Sequence, residues 1–364
     1  MQILNRYQKA YESLRAALAD PDSQTYFPEA QRKSKTAIRL DHLKWLARNQ
    51  NINHYYYVYG FDRRNGYHKD DYLEEKAFCR LRNHYNMSVQ FGGRKANYIC
   101  LLGDKFIFGM YLQALGFPTP KIIAMCDQNT VTWLEGQKTE PLETLVRQDG
   151  LDVFIKDLLG ECGEGVFSLK VKDAGLIVNG KPHSTDELSR KIRCKSIIQA
   201  RITQHPEMDK LNPHSVNCLR IITARKKDGV VPLSALLKAG SSKSPCDNWA
   251  AGGIILGIDL ETGRLKEDGF YKAKYGRKVT EHPETKVRFK DFTIPNFHAC
   301  MDAALRVHEY FYGIHSIGWD IAVGPEGPMI LEGNERWDTQ MQQVHDPQLK
   351  RKFLATLPDG DSQR

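Results

Sequence analysis

No apolar run in this sequence approaches the roughly 18 residues that a membrane-spanning helix needs, and the start, Met1-Gln-Ile-Leu-Asn-Arg-Tyr-Gln-Lys9, lacks a signal-peptide core. Both absences predict a cytoplasmic protein. Cysteine occurs eight times, at 79, 100, 126, 162, 194, 218, 246 and 300, yet never as a Cys-x-x-Cys pair, which excludes the usual thiolate metal and dithiol redox motifs. Scattered thiols of this kind agree with a reducing compartment. There is no internal repeat, no low-complexity linker and no recognised nucleic-acid motif, so nucleic acid is not an expected partner. None of the twelve histidines has a diagnostic spacing, and no Ser-His-Asp or Cys-His set stands out.

What is present is the composition of an ordinary globular protein, 26% charged and 41% hydrophobic. A chain of 364 residues exceeds one average core and predicts two or three packed units. Its net charge of +8 favours anionic ligands such as nucleotides, phosphates or acidic sugars.

The most informative stretch is Gly318-Trp-Asp-Ile-Ala-Val-Gly-Pro-Glu-Gly-Pro-Met-Ile-Leu-Glu-Gly-Asn-Glu-Arg336. It predicts two strands, 319–323 and 329–332, joined by a Gly/Pro turn. On such a hairpin Asp320 and Glu332 fall side by side, and Asn334 lies on the Glu332 side by the strand period of two. Two close carboxylates repel unless a cation separates them, and an Asp, Glu and amide set suits Mg²⁺. An ordinary hairpin with solvated acids is the competing reading.

Earlier in the chain, Leu4, Tyr7, Tyr11, Leu14 and Leu18 make a helical stripe. Leu40, Leu43, Leu46 and Ala47 predict a second helix, surrounded by Arg32, Lys33, Lys35, Arg39, Lys44 and Arg48. Such a basic run is most often a solvated face, with contact to a membrane surface the minor reading. The aromatic run His54-Tyr-Tyr-Tyr-Val-Tyr-Gly60 predicts a strand. Asp104 is a good N-cap for a helix closed by Gly116, and Lys105 in its first turn opposes the helix dipole unless an anion shares the site. Asp152–Lys156 predicts a strand that runs into Gly160, Gly163 and Gly165. Strand, Gly-rich turn, strand is a hairpin whose backbone can approach phosphates.

Lys195–Thr203 predicts a buried strand whose exit, Gln199, Ala200, Arg201 and Ile202, offers backbone groups to a purine edge. Arg220 and Lys238 sit inside apolar strands, where a charge needs an acid or a bound phosphate as partner. Asp247-Asn-Trp-Ala-Ala-Gly-Gly253 is a loop of small residues. A helix over 297–312 leads back to the carboxylate hairpin.

In this order the parts resemble the ATP-grasp superfamily. They are most similar to its sugar-transfer-associated group, through Ser215-Val-Asn-Cys-Leu-Arg220, Asp247-Asn-Trp-Ala-Ala-Gly-Gly253, Gly318-Trp-Asp-Ile321 and Leu331-Glu-Gly-Asn334. The resemblance covers about residues 70–340. It implies an α+β fold in which two subdomains enclose ATP: a mostly helical region over 1–98, a flap-bearing subdomain over 99–198, a metal-bearing subdomain over 199–350 and a tail over 351–364. It also implies that Lys105 and Lys156 hold the α- and β-phosphates under the backbone of Gly160, Gly163 and Gly165. Gln199 to Ile202 would meet adenine, and Asp209 or Glu207 the ribose. Asp320, Glu332 and Asn334 would hold Mg²⁺, Arg220 and Lys238 would neutralise the γ-phosphoryl, and Asn248 with Gly252 and Gly253 would receive the acyl phosphate. One departure is that the hinge reads Gln-Ala-Arg where many relatives have an acid after the glutamine.

The implied activity is ligation of a carboxylate to an amine, with both substrates small molecules and a sugar acid among the acids the resemblance suggests. A kinase on the same fold and a non-catalytic ATP-binding scaffold are the alternatives. The intact set of acids and lysines argues against the scaffold.

Overall fold

The computed structural model describes residues 24–358 except 88, 92–93, 161–164 and 242–246. The helix expected over 4–18, Gly163 and the last six residues of the tail lie outside the described residues. Strands β1 (Val89–Phe91) and β2 (Arg94–Ala96) form a small antiparallel ladder. Next come β3 (Ile122–Cys126), β4 (Thr130–Trp133), β5 (Thr139–Pro141), β6 (Asp152–Asp157), β7 (Val166–Lys172), β8 (Gly175–Val178), β9 (Lys181–His183) and β10 (Ser196–Ala200). They form one antiparallel sheet in the order β5-β4-β3-β10-β6-β7-β8-β9. The second sheet contains β11 (Cys218–Lys226), β12 (Gly229–Ala239), β13 (Ile254–Ile258), β14 (Leu265–Phe270), β15 (Lys278–Val279), β16 (Ser316–Gly324) and β17 (Gly327–Asn334). Its order is β15-β14-β13-β12-β11-β16-β17. The chain is thus α+β, with antiparallel sheets.

Alternation divides the faces of both sheets. In β6, Val153 and Ile155 enter the first sheet's core, which leaves Lys156 on the opposite face. In the second sheet, Leu219, Ile221, Leu237, Trp319 and Ile321 pack against the helix Phe297–Glu309. Arg220, Lys238 and Asp320 therefore project from the other face. The N-terminal region covers much of that face: Tyr26, Ile38, Tyr56 and Phe61 share a core with Leu236, Trp249, Ile255 and Phe270. Phe78 packs beside Trp337 and Phe353 in an adjoining cluster. Residues 24–87 are consequently a cover for the second sheet. The helix Leu349–Leu354 belongs to the same cover, so the boundary drawn between 350 and 351 cuts an element, and residues 351–358 are not a tail.

Two local expectations are overturned. Residues 54–60 are not a strand but successive turns, closed by Tyr59 N–H to the Tyr55 carbonyl at 2.9 Å and Gly60 N–H to the Tyr57 carbonyl at 3.0 Å. Their aromatic content serves burial, since Tyr56, Tyr57, Val58 and Tyr59 are all core residues. The helix Lys35–Asn49 forms, capped by Ser34 Oγ on Ala37 N–H at 3.2 Å, but it turns a different face inward. Ile38 and His42 are buried, while Leu40 and Leu43 are 50% and 53% exposed. The inward face is set by Asp41, whose carboxylate takes Lys33 at 2.9 Å, Lys69 at 2.5 Å and the Tyr56 hydroxyl at 2.8 Å. His42 packs on the Tyr56 ring at 4.3 Å.

Candidate functional site

The strands β16 and β17 form the expected hairpin, and register places Asp320 directly opposite Glu332 and Gly318 opposite Asn334. The bulge between Asp320 and Ile321 falls at the acid itself, as bulges near functional side chains do. From the neighbouring strand β11, Arg220 stands opposite Asp320. Its Nε and Nη2 donate to the two oxygens of Asp320 at 2.5 and 2.9 Å, a bidentate pair. Lys238 on β12 adds a third contact, Nζ to Oδ2 at 3.0 Å.

Burial alone would raise the Asp320 pKa, but Arg220 and Lys238 outweigh it and hold the carboxyl well below the usual range. Lys238 is in turn held well above its ordinary value against burial, by Asp247 first and Asp320 next. Glu332 goes the other way: burial, then the charge of Asp320, raise its pKa. Asp320 and Glu332 thus repel each other across one register pair, a repulsion that a cation between the two carboxylates would relieve. The Asn334 amide N–H₂ donates to the Gly318 carbonyl at 3.1 Å and to Glu332 at 3.3 Å, leaving its Oδ1 without a hydrogen bond among the described residues. Nowhere among the described residues do three His, Cys, Asp or Glu converge as a metal cage. Two carboxylates plus an amide oxygen fit a hard divalent cation that completes its shell with water and phosphate oxygens.

Two further lysines lie within the electrostatic reach of Glu332 or of each other, Lys156 on β6 and Lys105 at a helix start. Burial lowers the Lys156 pKa, Glu332 opposes that shift and Lys105 adds to it, so these three side chains share one field. Lys105 opens the helix Lys105–Ala114 behind Asp104, whose carboxylate accepts Phe106 N–H at 2.8 Å and Ile107 N–H at 2.9 Å. The Lys105 ammonium donates to the Gly160 carbonyl and its backbone N–H to the Leu158 carbonyl at 3.1 Å, which ties the helix start to the Gly-rich turn. Gly165 has φ of +69°, and a Cβ there would lie 2.0 Å from Asp157 Oδ2, so no other residue fits.

The hinge residues are placed unequally. Gln199 is buried with its amide on the Pro120 carbonyl at 3.1 Å. The N–H groups of Ala200 and Arg201 already donate to the Lys121 and Asp152 carbonyls at 2.9 and 3.4 Å. Arg201 also spends its side chain locally, 2.6 Å from Asp152 and stacked over Phe154. Ile202, just past the strand end, keeps an N–H with no partner among the described residues. Asp209 accepts the Gln204 amide at 2.8 Å, whereas Glu207 pairs with Lys210 at 2.6 Å on the surface. Asn248 caps a single turn over Trp249–Ala251, with Oδ1 on Ala250 N–H at 2.9 Å.

One member was not singled out from sequence. Asp247, the acid at the start of the small-residue loop, accepts Cys218 N–H at 3.2 Å and lies in the field of Lys238. Burial raises its pKa, Lys238 pulls it back and Asp320 pushes it up again. An acid opening a loop of Ala and Gly was the available signal.

A model of the sugar-transfer-associated ATP-grasp family matches residues 89–356. No curated protein matches the chain. Among solved structures, D-alanine–D-alanine ligase from Bacillus anthracis is 13% identical, with 72% of this chain and 69% of that one covered and a TM-score of 0.39. N5-carboxyaminoimidazole ribonucleotide synthetase from Thermotoga maritima is 14% identical over 65% and 42%, TM-score 0.35. D-alanyl-alanine synthetase A from Vibrio cholerae is 12% identical over 64% and 55%, TM-score 0.37. The chain thus spans about half the length of the latter two. With the family model covering most of its length and the described sheets carrying the motif residues, the chain belongs to the sugar-transfer-associated ATP-grasp family.

Proposed function

We propose that the protein is an ATP-dependent ligase that joins a small carboxylate to an amine through an acyl phosphate. The observation that carries this reading is the convergence of Arg220 and Lys238 on Asp320 beside Glu332, on a sheet face that shares a field with Lys105 and Lys156. Four cations stand around three acids, Asp320, Glu332 and Asp247, which leaves positive charge that a polyphosphate balances.

Lys105 and Lys156 bind the α- and β-phosphates, with the backbone at Gly160 and Gly165 closing over them. Adenine takes backbone groups between Gln199 and Ile202, chiefly the open N–H of Ile202, and the ribose takes Asp209. Asp320, Glu332 and Asn334 hold Mg²⁺, which supplies charge neutralisation to the phosphate chain when bound. Arg220 and Lys238 are released in part from Asp320 and meet the transferring γ-phosphoryl, and Asn248 orients the acyl group. A substrate carboxylate oxygen attacks the γ-phosphorus as the bond to ADP breaks. The amine nitrogen then attacks the acyl carbon, phosphate departs and the nitrogen loses its proton. Positioning and charge neutralisation supply the rate without a protein nucleophile.

Hydroxylamine tests the reading. With ATP, magnesium and a panel of amino and uronic acids, a ligase yields a hydroxamate in step with ADP, whereas a phosphate ester without hydroxamate would mean a kinase. The flap gives a second expectation. Gly165→Ala, forced out of a left-handed backbone and into Asp157, should raise KM for ATP about tenfold, equivalent to about 1.4 kcal/mol of lost binding. An unchanged KM would remove the Gly-rich turn from the nucleotide site.

A further inference from the structure

Between the N-terminal cover and the segment after β17 lies a cavity of 510 Å³ that the reading above does not use. Trp45, Tyr55, Tyr59 and Tyr72 wall it on the side of the cover, Thr339 and Gln340 close the other side, and Glu74 and Glu75 lie along it. Two contacts set it next to the catalytic face. Tyr55 stacks on Trp249, the residue after Asn248, at 6.3 Å and 25°, and its hydroxyl donates to Gln340. Asp338, four residues past Asn334, acts electrostatically on Tyr55 and Glu75 from one side and on Arg220 from the other.

We infer that this cavity binds the amine substrate, and that the substrate is an amine carried on a hydroxylated ring, an amino sugar, held as its ammonium and giving one proton to a cavity carboxylate before the nitrogen attacks. The chemistry of the walls argues for each half. Aromatic faces joined with carboxylates recognise an ammonium through ring quadrupoles and charge. The cavity's two carboxylates, Glu74 and Glu75, outnumber the one lysine of the lining, Lys76. Glu75 is held above the ordinary carboxyl range, by burial and then by Asp338, a repulsion that a bound cation relieves. For the ring, Gln50 adds an amide group to a lining that also holds Trp45, the combination of flat apolar face and two-way hydrogen bonding that hydroxylated rings take, while the Asn53 Oδ1 already accepts Tyr55 N–H at 3.0 Å. Asn51 is already committed, accepting Trp45 Nε1–H at 2.9 Å and donating to Glu74 at 2.7 Å, so it fixes the wall and the acid together.

The inference rests on the ligase reading for the amine's role, and the two can be separated. D-glucosamine is titrated by calorimetry at pH 7 into the full chain, with D-glucose and N-acetyl-D-glucosamine as uncharged controls. Glu75→Gln, at the start of the helix Glu75–Met87, and Trp45→Ala are run alongside, with thermal melts to check folding. Saturable glucosamine binding is expected with or without ATP, weakened at least about tenfold in Glu75→Gln and for both neutral sugars. No binding of glucosamine, equal binding of glucose, or full affinity in folded Glu75→Gln would overturn the site. Glucosamine binding without any ADP formation from ATP, magnesium and the same panel of acids would keep the cavity and sink the ligase. ADP formation driven by another amine, with glucosamine unbound, would do the reverse.

Discussion

Glu332→Gln should lower ADP release by at least about a hundredfold while leaving the metal-free protein as stable as the parent or more so. The carboxylate is opposite Asp320, and burial together with that neighbour raises its pKa. A carboxyl whose pKa is higher folded than unfolded binds more protons in the fold, so its contribution falls as pH rises from its unfolded value through its folded one. At neutral pH the ionised Glu332 therefore costs stability, and a neutral glutamine of the same shape removes that cost. Thermal melts at pH 5 and pH 8 check the sign: the gap between variant and parent should widen at the higher pH and shrink when magnesium is added to the parent. A variant that melts far below the parent, or that still turns over ATP, would take Glu332 out of the metal set.

Asp320→Ala should behave oppositely on stability. Its carboxylate is the shared partner of Arg220 and Lys238, both largely buried. Removing it strands two cations in the interior, a loss of about 3–5 kcal/mol for a broken buried pair. The Asp320 pKa is held far down by those cations against burial. Its contribution is thus present above the unfolded carboxyl pKa and is lost as pH falls below it. Denaturant titration at pH 7 should show the full loss and at pH 3 a smaller one. Equal losses at both values would show that packing, and not the ion triad, sets the effect. Two acids facing each other across one hairpin would then differ in kind, one serving the fold and the site, the other the site alone.

The hairpin was legible because its signal is local: strand period and turn residues fix which side chains stand abreast. Arg220 and Lys238 were legible as charges that need a partner, but the partner itself depended on strand order β12-β11-β16, which no short window encodes. Asp247 escaped for the same reason, since its meaning comes from Cys218 and Lys238 on other strands. The segment 54–60 misled because tyrosine and valine favour strands only insofar as they favour burial, and here the burial is supplied by Leu236 and Phe270 in the sheet beneath and by Trp249 in the turn beside it. Helix Lys35–Asn49 turned a face inward that leucine counting would reject, because Asp41 found two lysines and a tyrosine hydroxyl. Such pairings belong to tertiary structure and leave no periodicity in the chain.

The whole account depends on Asp320, Glu332 and Asn334 forming a magnesium site that carries ATP. Calorimetric titration of ATP into the parent and into Glu332→Gln, each with and without magnesium, addresses it directly. A saturable heat in the parent that needs magnesium and is absent from the folded variant is the predicted result; no heat in the parent, or the same magnesium-dependent heat in both proteins, would contradict it.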